Sequence, residues 1–233
     1  MQARATSAPG RRVLGEHGRG APPTWSTLKT APLLGGQLFL HAGGVSLLEL
    51  LVVLGLVALM AALALPSMLG GLDDARGMAA ARHVAGLARL TRVQAAMRST
   101  RVGLRFEREG AAYRYSVYVD GNGNGLRSRD IRRGVDKAIT PPERLGERFP
   151  GVALGIVPGV AAIDGGQPLA GGTDPIRLGS ADTLTFSPLG TATSGTIFLR
   201  SRRGRQYAVR VLGATGRTRV LAFRHEVGTW TAR

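Results

Sequence analysis

The chain has 233 residues, 34 of them glycine, and a formal net charge of +16. This length fits one domain of ordinary size plus an anchor, and a hydrophobic fraction of 44% excludes wholesale disorder. There is no cysteine, which excludes disulfides, thiolate nucleophiles and zinc–thiolate sites.

The positive charge has two explanations. Of the 31 basic residues, 29 are arginine, and they are spread along the chain rather than run together. Compositional drift of a whole genome produces this pattern, and so does selection for an anionic partner such as nucleic acid or membrane lipid. The charge alone leaves both explanations open.

The first 66 residues predict a leader followed by a membrane anchor. Residues 1–44 are rich in Gly, Pro and Arg, show no helical or strand period, and end at Gly44. From Leu47 to Leu65, nineteen residues are apolar or glycine except Glu49, close to the roughly 20 needed to cross a bilayer. We therefore expect a transmembrane helix over 45–66. Because basic residues precede it, the leader should be cytoplasmic and the rest of the chain should lie on the far side of the membrane.

Glu49 is the unusual residue of this anchor, because a carboxylate within a membrane segment is costly unless it is paired. Cleavage after Gly44 would create an α-amine on Val45, four residues before Glu49 and on the same helical face. The alternative is an ordinary secretory signal peptide, cut at the small-x-small pattern Ala62-Leu63-Ala64.

The stretch from Gly44 to Val53, GVSLLELLVV, resembles the prepilin processing motif of type IV pilins and type II secretion pseudopilins. The resemblance implies that a membrane prepilin peptidase cuts after Gly44 and methylates Val45, and that Glu49 guides docking of the subunit. Pro66 lies where many members of that family have a helix-kinking proline.

Residues 67–99 are predicted to continue the anchor as an amphipathic helix. Apolar residues at spacings of three and four form a stripe expected to face a sheet: Val84, Leu87, Leu90, Val93 and Met97. A helix lying on the membrane surface is the alternative.

Residues 100–233 predict a β-rich domain, which by the orientation of the anchor is periplasmic. Period-two patterns indicate a hairpin, from Val102–Phe106 and Tyr113–Val119, joined through 107–112. Residues 134–180 should form long surface loops. An antiparallel meander follows, with strands at Leu184–Phe186, Thr196–Leu199, Tyr207–Leu212 and Thr218–Phe223. The expected fold class is α+β, with one long N-terminal helix packed on an antiparallel sheet.

The segments Leu184–Gly190, Gly195–Leu199 and Gly216–Val220 resemble the C-terminal domain of pseudopilin H and of FimT-type minor pilins. The resemblance implies a pilin-like, non-enzymatic, single-pass inner-membrane protein that is assembled into a pseudopilus or pilus. The implied partners are the prepilin peptidase, other major and minor pilins or pseudopilins, the inner membrane and secreted cargo. No cofactor is expected.

The loop from Asp120 to Gly125, DGNGNG, is a weak calcium candidate. Asp120, Asn122 and Asn124 place oxygen ligands at alternate positions, but Asp130 falls one residue short of the final carboxylate position of an EF-hand. Asn-Gly repeats also form tight turns without metal.

Gly216-Arg-Thr-Arg219 matches a Gly-Arg-x-Arg motif of DNA-uptake minor pilins, which implies DNA binding by Arg217 and Arg219. Three more arginines, at positions 202, 203 and 205, occupy the preceding hairpin turn. The alternative is that these arginines solvate an edge strand. His83 and His225 show no metal-binding spacing, and we expect no catalytic site.

Overall fold

The computed structural model describes residues 44–179 and 181–233, without the side chains of Pro66 and Ser67. The predicted leader therefore lies, except for Gly44, outside the described residues. A single helix, α1, runs from Leu47 to Arg98. At about 1.5 Å per residue its 52 residues span about 78 Å. The helix continues through Pro66, so no break separates the predicted 45–66 and 67–99 segments.

Small side chains form the face of α1 that packs on the β-domain. Its buried residues are Gly77, Ala80, Ala81, Val84, Ala85, Ala88, Thr91 and Ala95. The predicted inner stripe is correct for Val84 and, in part, for Leu87, but wrong for the last three residues. Leu90, Val93 and Met97 are 62%, 52% and 74% exposed. Large sheet side chains such as Tyr207 and Phe186 fill the space beneath the helix, so only small helical residues fit there.

The remaining elements follow in chain order. They are β1 (Val102–Glu109), β2 (Ala112–Val119), α2 (Ser128–Arg132), β3 (Lys137–Ala138), β4 (Glu143–Arg144), α3 (Leu145–Arg148), β5 (Ala153–Leu154), β6 (Ile176–Arg177), β7 (Thr183–Phe186), β8 (Gly195–Arg200), β9 (Gln206–Leu212), β10 (Arg217–Arg224) and β11 (Thr229–Ala232).

These strands form two antiparallel sheets. The first has the order β3-β2-β1-β7, with β4 also paired to β2, and the second has the order β11-β10-β9-β8-β5, with β6 also paired to β8. The α+β class with one long N-terminal helix is confirmed. The predicted hairpin is confirmed and is tighter than expected, because β1 extends to Glu109 and pairs with Ala112 across a two-residue turn. Gly110 adopts a φ of 61° in that turn.

The predicted meander is correct from β8 to β10 and wrong for its first strand. Strand β7 pairs with β1 instead of β8, with Leu184 opposite Leu104 and Phe186 opposite Val102. All four side chains are fully buried, and this apolar match is the physical reason for the non-local pairing.

The second sheet is covered on both faces. Alternate residues of β8–β10 point towards α1, including Ile197, Val209 and Val220. On the opposite face a smaller cluster is formed by Ile156, Leu169, Phe198 and Ala208, with Leu221 and Trp230 against it. Residues 134–180 are thus more than the surface loops that we expected, because their apolar side chains complete both clusters.

Candidate functional site

The predicted processing motif lies at the start of α1. Val45 is 64% exposed, and Glu49 is an exposed residue in the first turn of the helix. Within the described chain, α1 is the one helix long and apolar enough to cross a membrane, and its most apolar stretch is not buried by any other part of the protein. The predicted anchor and the Glu49 carboxylate are therefore exposed to the surroundings.

A second apolar surface continues from the anchor along the side of α1 that faces away from the sheets. We call it the outer stripe. Its members recur at spacings of three and four, except for one step of seven at Arg82 and His83, and are Met68, Leu72, Ala75, Ala79, Gly86, Leu90, Val93 and Met97. All are exposed except Gly86, which is half-buried. An exposed apolar surface of this length marks a contact site for protein or membrane.

Two adjacent aspartates fasten α1 to the turn between β8 and β9. Asp73 accepts hydrogen bonds from the Ser201 hydroxyl at 2.5 Å and from the backbone N–H of Arg203 at 3.1 Å. Asp74 accepts from the Tyr207 hydroxyl through its carbonyl oxygen at 3.0 Å and through its carboxylate. Burial and the Asp74 carboxylate raise the pKa of Tyr207, so the phenol stays a donor. We call this set the aspartate clamp.

Glycine at position 77 allows this packing. A Cβ at Gly77 would overlap the Tyr207 ring, which is only 1% exposed. Neither Gly77 nor the clamp was predicted, although two neighbouring acidic residues in a stretch otherwise apolar or basic were a visible signal.

His83 lies on a flank of α1 inside a small polar network. Its Nε2 is 3.2 Å from the Tyr115 hydroxyl, which donates to Glu143 at 3.2 Å. The Phe149 ring lies 5.5 Å from the imidazole, between ring centroids. Burial, and next the positive charge of Arg148, lower the pKa of His83 below 6.5, against the opposing charge of Glu143.

This environment predicts a pH dependence of stability. Because the folded-state pKa of His83 is lowered, the unfolded chain binds more protons over the affected window. The contribution is complete above the unfolded pKa of about 6.5 and is lost as the pH falls through it towards the folded value. We expect His83→Gln to flatten this part of a plot of melting temperature against pH between about 5 and 8. An unchanged slope in the variant would contradict the assignment.

Backbone amides donate hydrogen bonds to Asp120 of the candidate calcium loop and to Asp136, which lies outside the predicted ligand set. Asp120 and Asp136 are 5% and 1% exposed. The donating amides are those of Asn122, Gly123 and Gly125 for Asp120, at 2.8–3.2 Å, and of Gly121 and Arg127 for Asp136, at 3.1 Å. Asn124 donates to Asp130 at 3.1 Å. Nowhere in 44–179 and 181–233 do three or more His or carboxylate side chains form a group that could hold a metal ion.

We expect Asp136→Ala to lower the free energy of unfolding by about 1–3 kcal/mol, because it removes the buried carboxylate that accepts from the amides of Gly121 and Arg127. Asp164→Ala is the control, since this largely exposed residue forms a surface ion pair with Arg210 and should change stability by less than about 1 kcal/mol. Urea denaturation measures both variants. Repeating the titrations with calcium tests the metal prediction, because a bound ion would raise the stability of the parent chain.

Arginines form a row across the face of the second sheet that points away from α1. Arg177, Thr196, Arg210 and Arg219 are neighbours in register across β6, β8, β9 and β10. Arg210 forms an ion pair with Asp164 at 2.5 Å. Because Arg210 and Arg219 are opposite each other in register, their like-charged side chains lie side by side.

Arg217 begins β10 and, like Arg219, is exposed. The three arginines at 202, 203 and 205 lie far from these two. Their turn is at the start of β9, whereas Arg217 pairs with Leu212 at its end. Strand β10 lies between β9 and β11. Only its first residues, Arg217–Arg219, form an open edge, because β11 pairs with Leu221–Arg224.

Comparison with known proteins gave one match. The family model described as "Type II transport protein GspH" matches residues 80–216. No curated protein and no solved structure matched the chain. The matched region begins on the buried face of α1 and ends at the turn before β10, so it includes most of the β-domain.

Proposed function

The chain belongs to the family of the type II transport protein GspH, a family of minor pseudopilins, and from this we propose that it is a structural subunit of a type II secretion pseudopilus. A prepilin peptidase would remove the leader after Gly44. The helix would then hold the subunit in the inner membrane, with the β-domain in the periplasm, until it joins a filament with other pseudopilins and contacts secreted cargo. In this role the subunit needs neither a catalytic site nor a cofactor.

The observation that carries this proposal is the outer stripe. It continues the apolar surface of the anchor well past the length needed to cross a bilayer, beside a β-domain that covers only the opposite face of α1. Five large side chains of the stripe, 46–74% exposed, have no apolar cover within the described chain: Met68, Leu72, Leu90, Val93 and Met97. Packing of helices from neighbouring subunits would bury them.

Glu49 supports the same proposal from the membrane side. An exposed carboxylate in the first turn of an apolar helix is unfavourable in hydrocarbon. The new α-amine of Val45, on the same chain or a neighbour, would neutralise it. Because an unpaired Glu49 is costly in hydrocarbon, pairing with the amine of a neighbouring subunit would favour the assembled subunit over the isolated one.

The test is the mature N-terminus, read by mass spectrometry of membrane fractions from cells with and without prepilin peptidase. We expect a peptidase-dependent start at Val45, with or without a methyl group. A start after Ala64 that does not depend on this peptidase would refute the proposal, because the chain would then be a secreted domain without Glu49.

The arginine row favours one second candidate, a DNA-binding minor pilin for DNA uptake. Arg217 and Arg219 are exposed on one face of β10, and Arg210 and Arg177 extend that face. Guanidinium groups in such a row can contact successive phosphates without reading sequence.

Duplex DNA binding by the full chain in detergent tests this candidate, measured by fluorescence anisotropy over a salt series. Replacement of Arg217 and Arg219 by Gln should weaken binding and reduce its salt dependence by about two charges. Replacement of the exposed pair Arg132 and Arg133 by Gln removes the same charge from α2 and serves as the control. Equal binding by both double variants would reject the DNA role of β10.

A further inference from the structure

A groove lies between α1 and the open edge of β10, on the side of the second sheet that faces the helix. Its volume is about 420 Å³. The helix lines it with Arg82, Ala85 and Arg89, and the strands line it with Thr218, Arg219, Val220, Ala232 and Arg233. We call it the arginine groove. Arg82, Arg89 and Arg233 thus lie around one concave space, whereas Arg219 borders it from a strand position whose side chain points, with Arg210, to the opposite face of the sheet.

No acidic side chain lines the arginine groove. Some arginines elsewhere in the domain are paired with carboxylates, as in Arg144 with Glu109 at 2.6 Å and Arg210 with Asp164. Arg82, Arg89 and Arg233 form no ion pair with any residue that the structure describes. Like charges held together without counter-charges repel one another, and an anionic ligand would relieve this repulsion.

Thr218 supplies unsatisfied hydrogen-bonding groups at the same place. Its hydroxyl is the one buried side-chain oxygen or nitrogen in the described chain without a hydrogen-bond partner. Its backbone is also open. The carbonyl of Val220 accepts from Arg233 on the β11 side, and in an antiparallel strand residues two apart point their N–H and C=O groups the same way. Thr218 therefore points both groups to the edge that β11 leaves unpaired.

We propose that the arginine groove binds an acidic, extended segment of a partner protein. The carboxylates of the segment would bond Arg82 and Arg89 on one wall and Arg233 on the other. Its backbone would pair with Thr218 as a short added strand. This is a partner site on the domain itself, separate from the packing of helices through the outer stripe.

The edge of β10 is what favours a polypeptide over nucleic acid. The Thr218 backbone has one free donor and one free acceptor, and a peptide backbone supplies a C=O for the first and an N–H for the second. Phosphate oxygens accept hydrogen bonds but cannot donate to the carbonyl. The groove is also walled on one side by α1.

The test is binding of a fluorescein-labelled decaglutamate peptide to the full chain in detergent, measured by anisotropy. Replacement of both Arg82 and Arg89 by Gln changes only the helix wall. The pair Arg132 and Arg133, replaced by Gln, is the control of equal charge. Arg217→Gln changes a residue of the DNA candidate that does not line the groove. We expect the helix-wall variant to bind about tenfold more weakly than the control, and Arg217→Gln to bind like the parent chain.

Thr218→Val adds a test that does not alter charge. Removal of an unsatisfied buried hydroxyl should raise the melting temperature, while peptide binding falls severalfold because the segment loses a partner. A purely structural threonine would not produce this opposite pair of changes.

Equal peptide binding by the helix-wall variant and the control would overturn the proposal. So would a helix-wall variant that loses duplex DNA binding while it keeps the peptide, which would make the groove a nucleic-acid site. Neither result touches the proposed pseudopilin function, which rests on the mature N-terminus and the outer stripe.

Discussion

Replacement of Val93 by Glu is expected to abolish incorporation of the subunit into filaments while the domain remains folded. Val93 lies in the middle of the exposed C-terminal part of the outer stripe, between Leu90 and Met97. A carboxylate there is harmless in water, because the side chain is already 52% exposed. Between packed helices, however, it would be buried without a partner, at a cost of several kcal/mol.

The absence of cysteine makes the measurement direct. A cysteine placed at Leu90 is the sole thiol of the chain, and its cross-linking to neighbouring subunits in native membranes reports packing of the stripe. We expect the Val93→Glu substitution to remove this cross-link, while Ala96→Glu, on the flank of the helix, should keep it. If Val93→Glu cross-linked as well as the parent, the outer stripe would not be a helix-packing surface.

The second large effect is expected at Gly77, where Leu should lower the free energy of unfolding by about 3 kcal/mol. A side chain at this position overlaps the buried Tyr207 ring, which the hydrogen bonds to Asp74 hold in place. Helix propensity alone would predict the opposite result, because leucine is more favourable in a helix than glycine by up to about 1 kcal/mol. Loss of stability would therefore be a packing effect.

Gly71→Leu is the matched control. It lies on the same helix, and a Cβ there would meet no atom within 4 Å. We expect this variant to be as stable as the parent or slightly more stable. Thermal unfolding followed by near-ultraviolet circular dichroism compares the two, since Tyr207 contributes to that signal. Equal stability of the two variants would show that α1 does not press against Tyr207 as the structure indicates.

Local pattern was sufficient for those parts of the fold that depend on neighbouring residues. The hairpin β1–β2 and the run from β8 to β10 follow from alternation along each strand and the short turns between them. The pairing of β7 with β1 could not be predicted from such local patterns. It joins residues about 80 positions apart, and only the complementary burial of their side chains selects it.

The helix face was misjudged for a different physical reason. The large apolar side chains of Leu90, Val93 and Met97 predicted a core position, whereas close packing of the helix on the sheet selects alanine and glycine. The correction moves the three residues from the core to the candidate assembly surface. The roles of Gly44, Val45 and Glu49 stay predictions from the motif. The aspartate clamp joins residues about 130 positions apart and could not be predicted from spacing.

The continuity of α1 has a mechanical consequence. The apolar run ends at Leu65, and the aspartate clamp begins at Asp73 on the same unbroken helix. Less than about 15 Å of helix therefore separates the two, with no loop to absorb strain. If the predicted anchor is pulled or rotated in the bilayer, the β-domain must move with it as a rigid unit. If the chain is the pseudopilin that we propose, a displacement of the membrane segment passes directly to the β-domain, and covalent geometry sets the distance between the two.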